Sequence, residues 1–282
     1  MSEISETSSL ILDNSAELSR RSFFKRAAVV GATGAVAATG LTGLASALTK
    51  TTPQPRSESV RNTSGLTSGD TDILVAAEIA EALAVTTYGN IIQMSPFFKT
   101  LEADDQNYLR AAHQEEMSHY ALEESVTSQP TPFKKFYYPV NMFLDPQTTL
   151  NTLVTLEDAF IAAYLVGVRN FSTSDLRVTA ARIMGIESDH RTLARVLGGD
   201  AGLTKITGAQ GVAENVDPPN NNGYERTLCW TDISQAVTAL TPFVDASAAK
   251  SAGFDTSKAY FFKPFTAVLP NDMGDFISFG GC

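Results

Sequence analysis

"EEMSH", Glu115 to His119, and "IESDH", Ile186 to His190, share one feature: a glutamate stands three residues before a histidine. The chain has 3 histidines, so two of the three carry the pattern. Both fragments lie in runs of helical periodicity, where residues i and i+3 share a face about 4.5 Å apart along the axis. Glu116 and His119 can therefore project toward one point, and Glu187 and His190 toward another. An exposed helix pair would account for either fragment alone. The repetition asks for a common explanation.

Working outward, four long segments carry helical periodicity. The first spans about Asp72 to Ile92, with Ile73, Ala77, Ala80, Leu83, Ala84 and Tyr88 as its apolar stripe. The second spans about Ala103 to Ser125. Asp145 and Pro146, an N-cap followed by proline at the first helical position, open the third, which continues to about Asn170. Thr173 or Ser174 caps the fourth, and Gly198-Gly199 offers it a left-handed exit. The links within each pair of helices are short. The middle one, about Val126 to Leu144, is longer and contains "FYYPVNMF". Two hairpins joined by one long crossover form an all-α four-helix bundle.

The first and third helices complete the pattern. Glu81 precedes Tyr88 by seven residues, and Glu157 precedes Tyr164 by seven. Glu-x6-Tyr followed by Glu-x2-His thus occurs twice, an internal repeat of one helical hairpin. In the first helix Glu78 competes with Glu81 for the same role, and the matching tyrosine spacing favours Glu81. His113 lacks a glutamate partner and reads as a surface or packing residue. Glu78, Glu115, Asp158 and Asp189, each beside one of the pattern residues, read as solvated groups or as supports for their neighbours.

A glutamate from each of two helices, plus Glu-x-x-His from each of the other two, is the ligand set of di-iron and di-manganese carboxylate bundles. On these residues the chain resembles the ferritin-like superfamily, and within it the exported ferritin-like proteins that include desiccation-related proteins. The resemblance covers about Asp72 to Gly199. It implies two bound iron or manganese ions, with Glu81 and Glu157 as terminal ligands, Glu116 and Glu187 as bridges, and His119 and His190 holding one ion each. Tyr88 and Tyr164 would orient carboxylates. Oxygen-rich donors with one imidazole per ion suit iron or manganese better than copper or zinc. The implied activity is oxidation of Fe(II) or reduction of dioxygen or peroxide. A manganese catalase-type enzyme and a non-catalytic envelope or desiccation-stress scaffold remain open alternatives, and a homo-oligomer is compatible with each.

The flanking segments bear on location. "SRRSFFKRAAVV" is followed by an Ala/Gly/Val run and a small-residue Ala45-Ser46-Ala47 site, and residues 1–47 resemble a twin-arginine export signal. That implies the twin-arginine translocase as a partner and a periplasmic, envelope or extracellular destination. Residues 48–70, rich in Ser, Thr and Pro, read as a flexible linker, residues 71–199 as the bundle, and residues 200–282 as a partly irregular C-terminal extension packed on it. One short helix is expected there, about Asp232 to Leu240, and an irregular aromatic tail, "AYFFKPFTAVLP". In an oxidising compartment Cys229 and Cys282 can form a disulfide or stay free, and their spacing rules out a rubredoxin-type site. The formal charge of −10 over 282 residues disfavours nucleic acid as a partner.

Overall fold

The computed structural model describes residues 66–200 and 228–268, without the side chains of residues 199 and 200. The segment read as an export signal, most of the segment read as a linker, and Cys282 lie outside these residues. Cys229 is exposed.

Four long helices form the bundle: α1 Ser68–Met94, α2 Ala103–Thr127, α3 Pro146–Asn170 and α4 Ser174–Asp200. α1 packs chiefly on α2 and α3 chiefly on α4, and the two hairpins join through α1 with α3 and α2 with α4. A single-turn 3-10 helix, Phe97–Thr100, fills the first hairpin's turn. α3 starts as the sequence predicts, with Asp145 capping Thr148 and Pro146 in the first turn. α2 stops at Ser128, which adopts a left-handed φ of 55°.

Three expectations are corrected. α1 begins at Ser68, not near Asp72, because Thr67 and Asp70 form a reciprocal capping box. Asp70 also accepts from the Ser172 amide at 2.8 Å, which ties this helix start to the α3–α4 turn. Burial raises the Asp70 pKa, but the hydrogen bonds from Ser172 and Thr67 outweigh it and hold the carboxyl below its usual range. The segment read as linker up to residue 70 therefore enters the bundle. At the other end, α4 continues through Gly198 and Gly199 to Asp200. Glycine permits a left-handed exit but does not compel one.

The third correction concerns the tail, which is not wholly irregular. Within the crossover, Lys135–Pro139 forms β1, which pairs antiparallel with β2, Phe254–Phe261. Between them in the chain come α5, Ile233–Val244, capped by Asp232 and Gln235, and α6, Ala246–Ser251. Gly253, at φ 77°, makes the turn into β2. Phe136, Tyr138, Phe143, Phe243 and Phe262 are buried in the same core as Leu83, Leu109 and Leu153 of the bundle. The described part of the extension thus shares the bundle's core rather than building its own.

Candidate metal centre

Each bundle helix contributes to one buried cluster. α1 supplies Glu81, α2 Glu116 and His119, α3 Glu157, and α4 Glu187 and His190. Every one is buried, and Glu116, Glu157 and Glu187 have no exposed surface at all. The structure brings together all six residues that the sequence pattern singles out. Glu78 stands apart from the cluster and accepts a hydrogen bond from the Thr127 hydroxyl, so Glu81 occupies the position the tyrosine spacing favours.

The cluster consists of two groups that share a pair of glutamates. Glu81, Glu116, His119 and Glu187 form one, and Glu116, Glu157, Glu187 and His190 the other, each with its ligand atoms within 4.8 Å of one another. The shared carboxylates divide their oxygens between the histidines. Glu116 Oε1 lies 2.9 Å from His190 Nδ1, and its Oε2 lies 3.7 Å from His119 Nδ1. Glu187 Oε1 lies 3.1 Å from His119 Nδ1, and its Oε2 lies 3.5 Å from His190 Nδ1. Glu81 Oε2 sits 3.6 Å from His119 Nδ1. Each half therefore offers one terminal carboxylate, one oxygen from each shared carboxylate, and one imidazole nitrogen.

Glu81 Oε2, Glu157 Oε2, both oxygens of Glu116 and Glu187, and Nδ1 of both histidines are buried without a hydrogen-bond partner. The close His–Glu approaches lack hydrogen-bond alignment. Buried polar atoms are rarely left in this state, because each costs about 1–3 kcal/mol. Burial first, then the charges of Glu187 and Glu116, pushes the Glu81 pKa well above the carboxylate range, and burial with the same two shared charges does so for Glu157. Burial also lifts Glu116, but the charge of His190 and the close approach of both imidazoles outweigh that and hold Glu116 low. Burial opposes protonation of both histidines, yet Glu81 beside His119 and Glu116 beside His190 raise them well above the usual imidazole value. The cluster thus demands positive charge, as protons or as cations. A hard, oxygen-rich donor set with two imidazoles fits a pair of divalent ions.

Residues 69–199 match the family described as ferritin-like domain. The bundle belongs to the ferritin-like superfamily. Searches of curated proteins and of solved structures returned no match.

Within this ferritin-like domain, the tyrosines reach across the bundle rather than along their own helices. Tyr88 of α1 donates to Glu157 Oε1 of α3 at 2.7 Å, and Tyr164 of α3 donates to Glu81 of α1. Burial raises both phenols well above their ordinary value, so both stay protonated donors. Each fixes one oxygen of a terminal carboxylate and leaves the other facing inward. His190 is oriented in the same way. Its Nε2 lies 2.9 Å from Glu115 Oε2, which leaves Nδ1 toward the centre. The hydrogen bond from His190 lowers the Glu115 pKa against the effect of burial.

The supporting neighbours sort themselves further. Asp158 pairs with Arg191 at 2.9 Å inside the second hairpin, Asp189 is exposed, and His113 packs on Phe265 with ring centroids 4.8 Å apart. Sequence reasoning passed over Glu123. It is buried one turn beyond His119 and accepts from the Tyr164 hydroxyl at 2.7 Å. The available signal was its spacing, seven residues after Glu116 on the same helix face.

Proposed function

We propose that this chain is a di-metal carboxylate oxidoreductase that binds two iron ions and oxidises Fe(II) or reduces dioxygen or peroxide, in an exported, stress-related role. One observation carries the reading: Glu116 and Glu187 each present one oxygen toward each histidine, the arrangement a pair of bridged ions requires. His119 and Glu81 would hold one ion and His190 and Glu157 the other. When bound, such a pair supplies electrons and Lewis acidity at one point.

The chain's own residues do the rest. Tyr88 and Tyr164 hold the terminal carboxylates, Glu115 holds the His190 ring, and the surrounding core keeps bulk water from the shared oxygens. Export is supported by the Ser19-Arg20-Arg21 to Lys25 pattern. Replacing Arg20 and Arg21 with Lys should keep the protein in the cytoplasm, and undiminished export of that variant would overturn this part.

The test is metal analysis after loading with Fe(II) or Mn(II), followed by assay. About two ions per chain, with Fe(II)-dependent consumption of dioxygen or peroxide, is the expected result. Fewer than about one ion per folded chain would contradict it. Disproportionation of peroxide by the manganese-loaded protein, without an added reductant, would instead identify a catalase-type enzyme, since the same donors accept manganese. An intact biological role in Glu116→Ala, despite loss of turnover, would identify a scaffold.

A further inference from the structure

One helical turn from the metal layer, toward the α3–α4 turn, the core encloses a cavity of about 30 Å³. Each bundle helix lines it with a residue three or four positions from a cluster residue. Ala77 precedes Glu81 on α1, Glu123 follows His119 on α2, Phe160 follows Glu157 on α3, and Ile183 precedes Glu187 on α4. Residues so spaced share a helix face about 4.5 to 6 Å apart along the axis, so the cavity is the next layer of the same core. Tyr164 belongs to both layers: it lines the cavity, and its hydroxyl bonds to Glu81.

On its outer side the cavity meets Leu122 and Val126 of α2, Thr179 of α4 and Ile233 of α5, all half-buried, whereas Ala80 and Tyr164 on its inner side are buried. Among the described residues it therefore leads from the bundle surface toward Glu81. Its polar side chains are Glu123, Tyr164 and Thr179, and the rest of the lining is apolar. Space of this size holds one small molecule, and apolar cavities stay dry and take up apolar guests such as xenon. Dioxygen is neutral and apolar, so it enters such a site from water without losing a hydrogen bond. Hydrogen peroxide would lose several, and few groups here replace them. The Tyr164 hydroxyl and Glu123 Oε1 already bond to each other, which leaves one Glu123 oxygen and Thr179.

We propose that this cavity is a dioxygen-binding chamber serving the centre, so that the oxidant the protein takes up is dioxygen rather than peroxide. This rests on the di-metal reading of the central cluster and narrows its co-substrate. The chamber gathers the gas one helical turn from the ligands, on the side of Glu81 and His119, and its apolar lining disfavours polar competitors.

The experiment combines xenon-pressurised crystals of the full chain, read by anomalous scattering, with metal analysis and the dioxygen dependence of Fe(II) oxidation. The expected wild-type result is a xenon atom between Ala77, Phe160 and Ile183. Ala77→Leu, which copies Leu153 at the equivalent position of the second hairpin, should displace the xenon and keep both central ions. Its KM for dioxygen should rise about tenfold at unchanged kcat. Leu122→Trp, a substitution at the half-buried mouth, should raise that KM in the same way. A wild-type cavity without xenon, or a dioxygen KM unmoved in both variants, would overturn the chamber. So would faster turnover of the wild type with peroxide than with dioxygen. Xenon bound in a chain that retains no central ions would overturn the di-metal reading and with it the chamber's role, whereas loss of xenon alone overturns only the chamber.

Discussion

Set side by side, the two hairpins place identical groups around the centre: Glu81, Tyr88, Glu116 and His119 from one, Glu157, Tyr164, Glu187 and His190 from the other. Behind them they diverge. The first hairpin adds Glu78 and Glu123 where the second has Val154 and Ala194. The second buries Arg191, paired with Asp158, where the first has Tyr120 and Ala82. His190 has a carboxylate on its outer nitrogen, whereas the position equivalent to that Glu115 is Ile186. The chemistry is shared and its support is not, so the two ion positions should differ in how they fill and how firmly they hold.

The largest effect should come from breaking what the halves share. Glu116→Ala or Glu187→Ala removes a donor from both positions, so bound metal should fall below about one ion per chain and turnover should reach background. Glu81→Ala and Glu157→Ala each remove a donor from one position, and should each leave the opposite ion bound. Metal analysis with anomalous maps distinguishes the two classes. Equal loss in all four variants would erase the distinction between shared and terminal glutamates.

Next in size is the pH dependence of the metal-free protein. Glu81 and Glu157 titrate well above their ordinary 4.5, and His119 and His190 well above 6.5. A group whose folded pKa is raised stabilises the fold below its unfolded pKa and loses that contribution as pH rises toward the folded value. The glutamate contributions therefore decline above about pH 4.5 and the histidine contributions above about pH 6.5. Glu116, lowered, acts in the opposite sense, and its contribution is lost only in acid. The metal-free melting temperature should fall from about pH 6.5 toward pH 9, and bound Mn(II) should flatten or reverse that slope, because cations replace the protons. Thermal melts with and without Mn(II) measure it.

Much of this site is legible from the chain alone, for a geometric reason. Glu-x-x-His needs only the pitch of one helix to bring its two side chains together, and the second copy confirms the register of the first. What the sequence hides depends on pairing between helices. The tyrosine spacing is visible, but the exchange of partners across α1 and α3 is not, since it depends on how the two hairpins dock. Glu123 sits beside Glu124 in a run that reads as a solvated face, yet the first is buried and the second partly exposed. β1 is five residues long and its partner lies more than a hundred residues away, too little local pattern for a strand. Thr67 disappears into the Ser/Thr-rich segment before α1, where composition conceals a capping box.

Smaller effects should separate the supports of the two halves. Glu115→Ala removes the acceptor on His190 Nε2 and should weaken the His190 position by about tenfold to a hundredfold, with the His119 position unchanged. Titration with Mn(II) followed by electron paramagnetic resonance reads the two affinities. Tyr164→Phe removes the hydroxyl that contacts both Glu81 and Glu123, while Tyr88→Phe removes only the donor to Glu157. The first should therefore weaken binding more than the second, each by about tenfold or somewhat more. Equal losses would mean that Glu123 has no part in holding the His119 half.

The most direct test of the bridged centre is anomalous scattering from crystals of the metal-loaded protein at the iron and manganese edges. The expected map has two peaks inside the bundle, one at His119 and Glu81, the other at His190 and Glu157, with Glu116 and Glu187 touching both. A folded bundle with no peak among these six residues, after loading with either metal, would contradict it.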